Sequence, residues 1–76
     1  MPHIIVKIVG QSEENKTAIA QALSETLINA FGINESSISV SIEDVLKENW
    51  IEAVYKPDIL AKSNELYKKP GYDPLY

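Results

Sequence analysis

The absence of cysteine is the feature that most restricts how this chain can fold. A chain of 76 residues buries only about 60% of the surface that it exposes when unfolded, so its core alone gives marginal stability. Chains this short usually add disulfides, a metal or a partner chain. Disulfides are excluded here, and a single histidine, His3, also rules out the usual Cys/His zinc sites. Oligomerisation is the remaining route, and we therefore expect a homo-oligomer without a metal site.

The charge balance argues against nucleic-acid partners. Eleven acidic residues oppose seven basic ones, all of them lysines, and the net charge is −4. Nucleic-acid binding rests largely on clustered Lys and Arg, which this acidic chain lacks. No apolar run approaches the ~20 residues that span a membrane. The start, MPHIIVKIVG, has neither the basic leader nor the cleavage site of a signal peptide, so we expect a cytoplasmic protein without nucleic-acid or membrane partners.

The first third of the chain predicts a strand followed by a helix. The run from His3 to Val9 is β-branched and almost continuously apolar, which is typical of a strand covered on both faces. After Gly10, Ser12 offers an N-cap hydroxyl, and Glu13 and Glu14 stand where the helix dipole favours acids. We therefore expect a helix to begin at this point.

Apolar and small residues then recur at spacings of three and four, which predicts a long amphipathic helix with one core-facing stripe. The residues of this stripe are Ile19, Ala22, Leu23, Thr26, Leu27, Ala30 and Phe31. Gly32 supplies the left-handed residue that commonly closes a helix. We therefore expect one helix that begins after Ser12 and ends at Gly32.

Strict alternation follows the helix and predicts a second strand with one apolar face and one hydroxyl face. The alternating residues are Ser37, Ile38, Ser39, Val40, Ser41 and Ile42. Strand, long helix and strand form a βαβ unit with parallel strands and a right-handed crossover. Two strands and one helix leave sheet edges and one face uncovered. We therefore expect the strands of two chains to join or pack.

The last third is less regular. Residues Leu46 to Tyr55 predict a loop and a short helix that carries Trp50, and Pro57 is expected to start another helix because its missing N–H is not needed there. The ending KKPGYDPLY is expected to be extended, with aromatic residues that pack across a subunit boundary. The whole chain, 1–76, is predicted to be one α+β domain, a small βαβ protomer with a short C-terminal helical segment.

Proline at position 2 has unusual chemistry because of its place in the chain. Methionine before a small residue is normally removed after translation, and the nitrogen of Pro2 is then a secondary amine. An α-amine has a pKa of about 7.7–8.0 in solution, and burial in an apolar pocket lowers the pKa of an amine. A base with a pKa near the working pH can move a proton between two atoms of a substrate. We therefore expect Pro2, once Met1 is removed, to act as a general base.

Three segments in order carry a resemblance to a known family. Pro2 opens a strand, QSEENK opens the long helix, and SSISVSI forms the second strand. In this order and spacing, from Pro2 to about Trp50, the chain resembles the 4-oxalocrotonate tautomerase family. Its ending, from Trp50 through KKPGY, is similar to that of the family's slightly longer, dimeric branch.

The resemblance implies a fold, an assembly and a reaction. In the family, βαβ protomers pair into a four-stranded sheet, and some members stack further into hexamers. The amino-terminal proline is the general base, and it moves a proton between carbon and oxygen of an enol acid without a cofactor. The resemblance therefore implies a homodimer or higher homo-oligomer that is a keto–enol tautomerase, an isomerase, with Pro2 as its catalytic residue.

The chain departs from the family at two arginines that bind and polarise a dicarboxylate substrate. One would fall at Gln11 and the other at Ser39, and the chain has no arginine to replace them. Arginine's planar fork binds a carboxylate through two hydrogen bonds, which neither residue imitates. The aromatic residue of the family's pocket matches Trp50. We therefore expect Gln11, Ser39 and Trp50 to bind an enol or 2-oxo acid with an apolar body, such as an arylpyruvate enol.

Each of these residues also has a structural interpretation. Ser39 is one of several serines on a strand face, and Gln11 is a loop residue near the helix cap. Trp50 suits a core as well as a pocket, and His3 suits a strand end where a neighbour satisfies it. The rival function is a non-catalytic βαβ dimer that serves as a small-molecule binding or structural module. The missing arginines favour this rival, whereas Pro2 and Trp50 favour the enzyme.

Overall fold

The structure is a computed structural model that describes residues 1–74. The chain divides into two compact units, a first unit from Met1 to Asp44 and a second unit from Val45 onward. Leu75 and Tyr76, which end the segment predicted to be extended, lie outside the described residues. The expectation of one domain over residues 1–76 stays a prediction.

The first unit is the predicted βαβ unit. It contains β1 (His3–Ile8), α1 (Glu13–Phe31), a 3₁₀ turn (Glu35–Ser37) and β2 (Ser39–Asp44). The two strands pair in parallel, with His3 opposite Ser39 at the head of the sheet and Ile8 opposite Asp44 at its far end. The α+β class, the parallel strands and the long helix are therefore confirmed.

The two predicted ends of α1 are also confirmed. The hydroxyl of Ser12 accepts a hydrogen bond from the backbone N–H of Asn15 at 3.1 Å, which satisfies one of the free donors of the first turn. Gly32 has a φ of +66°, and its N–H and that of Ile33 donate to carbonyls of the last turn. This left-handed ending is one that glycine adopts without the steric cost of a Cβ atom.

Only one face of the sheet is covered within the protomer. The half-buried face carries Ile4, Val6, Ile8, Val40 and Ile42, and α1 packs against β2. The opposite face is open, and Ile5 on it is 60% exposed. One helix can cover only one face of a two-stranded sheet, so the prediction that β1 is covered on both faces depends on a second chain and stays a prediction.

The face that α1 buries differs in part from the predicted stripe. The half-buried positions are Lys16, Ile19, Ala20, Leu23, Ser24, Leu27 and Ile28. The predicted Ala22, Thr26 and Ala30 are exposed, and Phe31 is 70% exposed. At 3.6 residues per turn, two rows spaced by four residues contact the sheet, and the row of Ala22 lies to one side of them. The prediction from apolarity therefore chose the row of Ala22 as the second buried row, whereas the helix buries the row of Ala20.

The second unit is built from short helical segments. It contains 3₁₀ turns at Lys47–Asn49 and Ser63–Glu65 and a π-helix over Ile51–Leu60. The predicted short helix around Trp50 is therefore present. Among the described residues, the side chains classed as buried are Val54 and Tyr55, both in this helix.

Pro57 lies inside the π-helix, so the prediction that it starts a new helix is wrong. A prolyl ring clashes with the carbonyl four residues earlier in an α-helix. In a π-helix the hydrogen bonds reach back five residues instead, as from the N–H of Ala61 to the carbonyl of Lys56 at 2.9 Å. This wider pattern lets one helix run through Pro57.

Candidate functional site

Pro2 stands at the head of the sheet, directly before β1. It is half-buried, whereas Met1 is fully exposed. The carbonyl oxygen of Pro2 accepts a hydrogen bond from the backbone N–H of Ser39 at 3.3 Å, which extends the pairing of the strands by one residue. The backbone of Pro2 is therefore fixed to the start of β2.

His3 and Ser39 face each other beside Pro2 on the open face of the sheet. The His3 Nδ1 atom and the Ser39 Oγ atom are 2.6 Å apart and share a hydrogen bond. The structural interpretation of His3, a strand-end residue satisfied by a neighbour, is therefore confirmed. Ser39 contacts both Pro2 and His3, and sequence reasoning did not foresee this double contact.

Gln11 lies at the other end of the sheet, in the turn between β1 and α1. Its Oε1 atom accepts a hydrogen bond from the side-chain amide of Asn15 at 3.0 Å. The six residues of β1 separate Gln11 from Pro2 by about 17–20 Å. The structure therefore brings Pro2 and Ser39 together in one protomer and keeps Gln11 apart from them.

A charged cluster of Lys16, Glu13 and Asp44 occupies that far end. Lys16 bonds Asp44 at the end of β2 and Glu13 in the first turn of α1, and the lysine side chain is only 16% exposed. The hydrogen bond to Asp44, followed by that to Glu13, raises the pKa of the Lys16 amine above its ordinary value. The cluster ties α1 to β2, and its one lysine is bonded to two carboxylates, so it offers no spare positive charge for an anionic ligand.

Trp50 lies in the second unit, in an aromatic cluster with Tyr55 and Tyr72. Its Nε1–H donates to the hydroxyl of Tyr72 at 3.0 Å. The rings of Tyr72 and Tyr55 lie 5.9 Å apart and are tilted by 39°, within the range of a favourable aromatic contact. The ending therefore turns Tyr72 towards its own unit. The Pro70–Gly71 pair, a turn signal, was the one hint of this in the sequence.

A cleft of about 200 Å³ lies beside this cluster in the second unit. Its lining comprises Tyr55, Ile59, Leu60, Ser63, Leu66, Lys69, Pro70, Tyr72 and Asp73. Another hollow, of about 460 Å³, lies in the first unit and has Glu25 and Glu35 in its lining. Neither lining includes Pro2, Gln11, Ser39 or Trp50, so neither is the predicted substrate pocket.

The described residues, 1–74, offer neither a metal centre nor a membrane-spanning helix. Within that range, no group of His, Cys, Asp and Glu side chains is placed to hold a metal ion. The helices of the same range include none that is long and apolar enough to cross a membrane.

The family model described as "Tautomerase enzyme" matches residues 2–55. The chain belongs to the tautomerase family. The match begins at Pro2 and includes Gln11, Ser39 and Trp50, and it confirms the resemblance to the 4-oxalocrotonate tautomerase family. As a tautomerase, the protein is an isomerase enzyme.

Relatives of this tautomerase extend the similarity beyond the family match. A "Probable tautomerase" of Xylella fastidiosa (strain 9a5c) is 43% identical over 76 residues, which cover 99% of this chain and 93% of the relative. "Tautomerase PptA" of Enterobacter sp. (strain 638) is 39% identical over 74 residues, covering 95% of this chain and 97% of the relative. "Tautomerase PptA" of Escherichia coli O127:H6 is 34% identical over the same shares of the two chains. The likeness therefore includes the second unit.

Proposed function

We propose that this tautomerase interconverts keto and enol forms without a cofactor and uses the free nitrogen of Pro2 as its general base. The observation that carries the proposal is the position of Pro2, where the family match begins. Pro2 is half-buried at the head of the sheet, and a backbone hydrogen bond from Ser39 fixes its carbonyl. A fixed and partly desolvated amine suits a base that works near neutral pH.

The chemistry needs one base that moves one proton. The lone pair of the Pro2 nitrogen takes the proton from the enol hydroxyl, and the oxygen becomes a carbonyl. The electrons of the carbon–carbon double bond then take a proton from the prolyl ammonium, and the amine returns to its starting state. No oxidant or reductant enters, because only the position of a proton and a double bond changes.

The substrate that fits this chain is an enol or 2-oxo acid with one carboxylate and an apolar body, such as an arylpyruvate enol. A second carboxylate would have to lose its hydration without an arginine to bind it, since the chain has none, and burial of an unpaired charge is costly. The role of Trp50 in binding the apolar body stays a prediction from the family resemblance.

The active form that we propose is a cytoplasmic homodimer in which the strands of two chains form a four-stranded sheet. Pro2 and Gln11 of one chain are separated by the length of β1, about 17–20 Å. A pocket that holds both residues therefore needs Gln11 from a second copy. This geometry makes the dimer part of the proposed site.

The test is an ultraviolet assay of arylpyruvate enol ketonisation by protein whose amino terminus has been defined by intact mass. Protein that keeps Met1 should be folded and inactive, because the nitrogen of Pro2 is then an amide without a basic lone pair. Pro2→Ala should retain weak activity, since a primary amine remains after Met1 is removed. Pro74→Ala, which removes an exposed proline far along the chain, should leave the rate unchanged.

Full turnover by protein that retains Met1 would remove Pro2 from the mechanism. The second candidate function, a non-catalytic βαβ dimer that binds a small molecule or has a structural role, is favoured by the absence of arginine. Processed protein that turns over neither arylpyruvate enols nor 2-hydroxydienoates would support that candidate.

A further inference from the structure

Positive charge is scarce at the Pro2 end of the sheet. The lysines of the first unit are Lys7 and Lys16. Lys16 lies at the far end, bound to Asp44 and Glu13. Lys7 lies four residues along β1, opposite Glu43, and has an interaction of its own. Within the first unit, His3 is therefore the side chain beside Pro2 that can carry a positive charge or present a ring N–H to an anion.

The hydrogen bond with Ser39 orients the His3 ring for binding an anion. When the Ser39 hydroxyl donates to Nδ1, the neutral ring carries its hydrogen on Nε2. When the ring is protonated, Nδ1–H donates to the same hydroxyl oxygen and Nε2 again carries a hydrogen. A hydroxyl can serve both forms because it is donor and acceptor at once. Nε2–H is a donor in both of these forms, whereas in the other neutral tautomer Nδ1–H donates to the Ser39 hydroxyl and Nε2 is an acceptor. Carboxylate binding therefore uses the two forms that carry a hydrogen on Nε2, and no residue within 1–74 is bonded to that atom.

We propose that His3 binds the carboxylate of the substrate through Nε2–H and that Ser39 is the positioning residue that orients the His3 ring. This inference rests on the proposed tautomerase function, because it places the carboxylate next to the Pro2 nitrogen. It also gives Ser39 a role different from direct substrate binding. In the protomer the His3 side chain is exposed, at the Pro2 end of the sheet.

The neighbours of His3 leave room for an anion. Along the same face of the sheet the next paired residues are Ile5 and Ser41, which carry no charge. The charged pair Lys7 and Glu43 follows, two positions further on. A carboxylate bound at His3 therefore meets no acidic side chain on the adjacent pair of the sheet.

The inference is tested by binding, so that its outcome does not depend on turnover. The probes are a stable 3-arylpropanoate and its neutral amide, titrated into the processed protein by calorimetry. The imidazole signals in a ¹H–¹⁵N spectrum come from His3 alone, since the chain has one histidine. The acid should shift the Nε2 signal, and the amide should leave it in place.

His3→Gln should weaken binding of the acid by about 10- to 100-fold, the loss expected for a hydrogen bond to a charged group. Binding of the amide should not change. Ser39→Ala should weaken acid binding in the same direction by a smaller factor, and Ser39→Thr, which keeps the hydroxyl, should restore it. Lys7→Gln is the matched control, because it removes a lysine from the same face of β1 and should alter neither affinity.

Equal losses for acid and amide in His3→Gln, or no loss for either, would overturn the inference. An acid-selective loss in Lys69→Gln with none in His3→Gln would overturn it as well and assign the carboxylate to another cation. Turnover is measured on the same samples. Acid binding through His3 by a protein with no turnover would count against the proposed function and leave this inference standing.

Discussion

Ser39 shows how one residue can link the backbone and the chemistry of a small protein. Its N–H holds the carbonyl of Pro2, and its hydroxyl holds the ring of His3. A substitution at this position therefore changes the side chain that contacts His3 and keeps the backbone N–H that binds the carbonyl of Pro2. Because Ser39 lies beside Pro2 and His3, a substitution at this position is expected to change the preference between monoacid and diacid substrates.

We expect the unmodified protein to turn over monoacid enols with a higher kcat/KM than diacid enols, because no arginine offsets the burial of a second carboxylate. Ser39→Arg should raise the diacid kcat/KM relative to the monoacid value by about tenfold, since a guanidinium binds a carboxylate bidentately. Ser41→Arg, one exposed position further along the same face, is the control and should change the ratio little. Steady-state kinetics on both substrates measure the effect, and equal values in the unmodified protein would contradict it.

Among the elements, α1 and β2 are joined by the ion pair of Lys16 with Asp44, and Glu13 of α1 binds the same amine. The pKa of the Lys16 amine is raised in the folded state, first by Asp44 and then by Glu13. A raised pKa means that the folded protein holds this proton more tightly than the unfolded chain does. The stabilisation is therefore complete below the ordinary lysine value of 10.5 and is lost as the pH rises through the higher pKa of the folded state.

Lys16→Gln should accordingly lower the free energy of unfolding at neutral pH, and its difference from the unmodified protein should shrink towards about pH 12, above the ordinary lysine pKa. Lys56→Gln is the matched control. Lys56 pairs with Glu52 on the surface, where the two side chains are 48% and 75% exposed, and such pairs contribute little. Urea unfolding at both pH values checks the prediction, and a pH-independent difference for Lys16→Gln would refute it.

The sequence was sufficient to predict the strands and the helix of the first unit, but it was insufficient to predict which of their faces are buried. Ser12 and Gly32 mark the ends of α1 because caps are local chemistry, which neighbouring residues in the sequence determine. The exposure of Phe31 and the single covered face of β1 depend on which surfaces meet, and apolarity alone does not determine that. The path through Pro57 required a π-helix, a rare element with no sequence signature.

The candidate site divides in the same way. Pro2 could be identified because its chemistry follows from its position in the chain. The pairing of His3 with Ser39 depends on the register of two strands 36 residues apart, and alternation gives the faces of a strand without giving its register. Tyr72 joined the aromatic cluster through a turn whose direction the sequence leaves open.

At the scale of the whole molecule, the first unit has too little core to account for its own stability. Among the described residues, the buried side chains belong to the second unit, and Ile5 and Phe31 of the first unit are largely exposed. Both strands of the two-stranded sheet are edge strands, which present unpaired backbone groups to any neighbouring strand. These features favour the proposed assembly, in which a second chain covers the sheet edges and the open face.

We therefore expect a homodimer or a larger homo-oligomer. Sedimentation equilibrium at low micromolar concentration should give at least twice the 8.5 kDa mass of one chain. Ile5→Lys on the open face should weaken the assembly if this face is covered by the partner. A folded monomer of the unmodified protein under these conditions would contradict the expectation.

The single tryptophan of the chain lies in the second unit, whereas the 19-residue helix α1 lies in the first. Each unit thus carries its own spectroscopic reporter. Tryptophan emission follows the loss of the Trp50–Tyr72 contact, and far-ultraviolet circular dichroism is dominated by α1. If residues 1–76 fold as one domain, heating should give the same midpoint with both probes, as a cooperative two-state transition requires. Two separate midpoints would mean that the family fold is assembled from parts that melt independently.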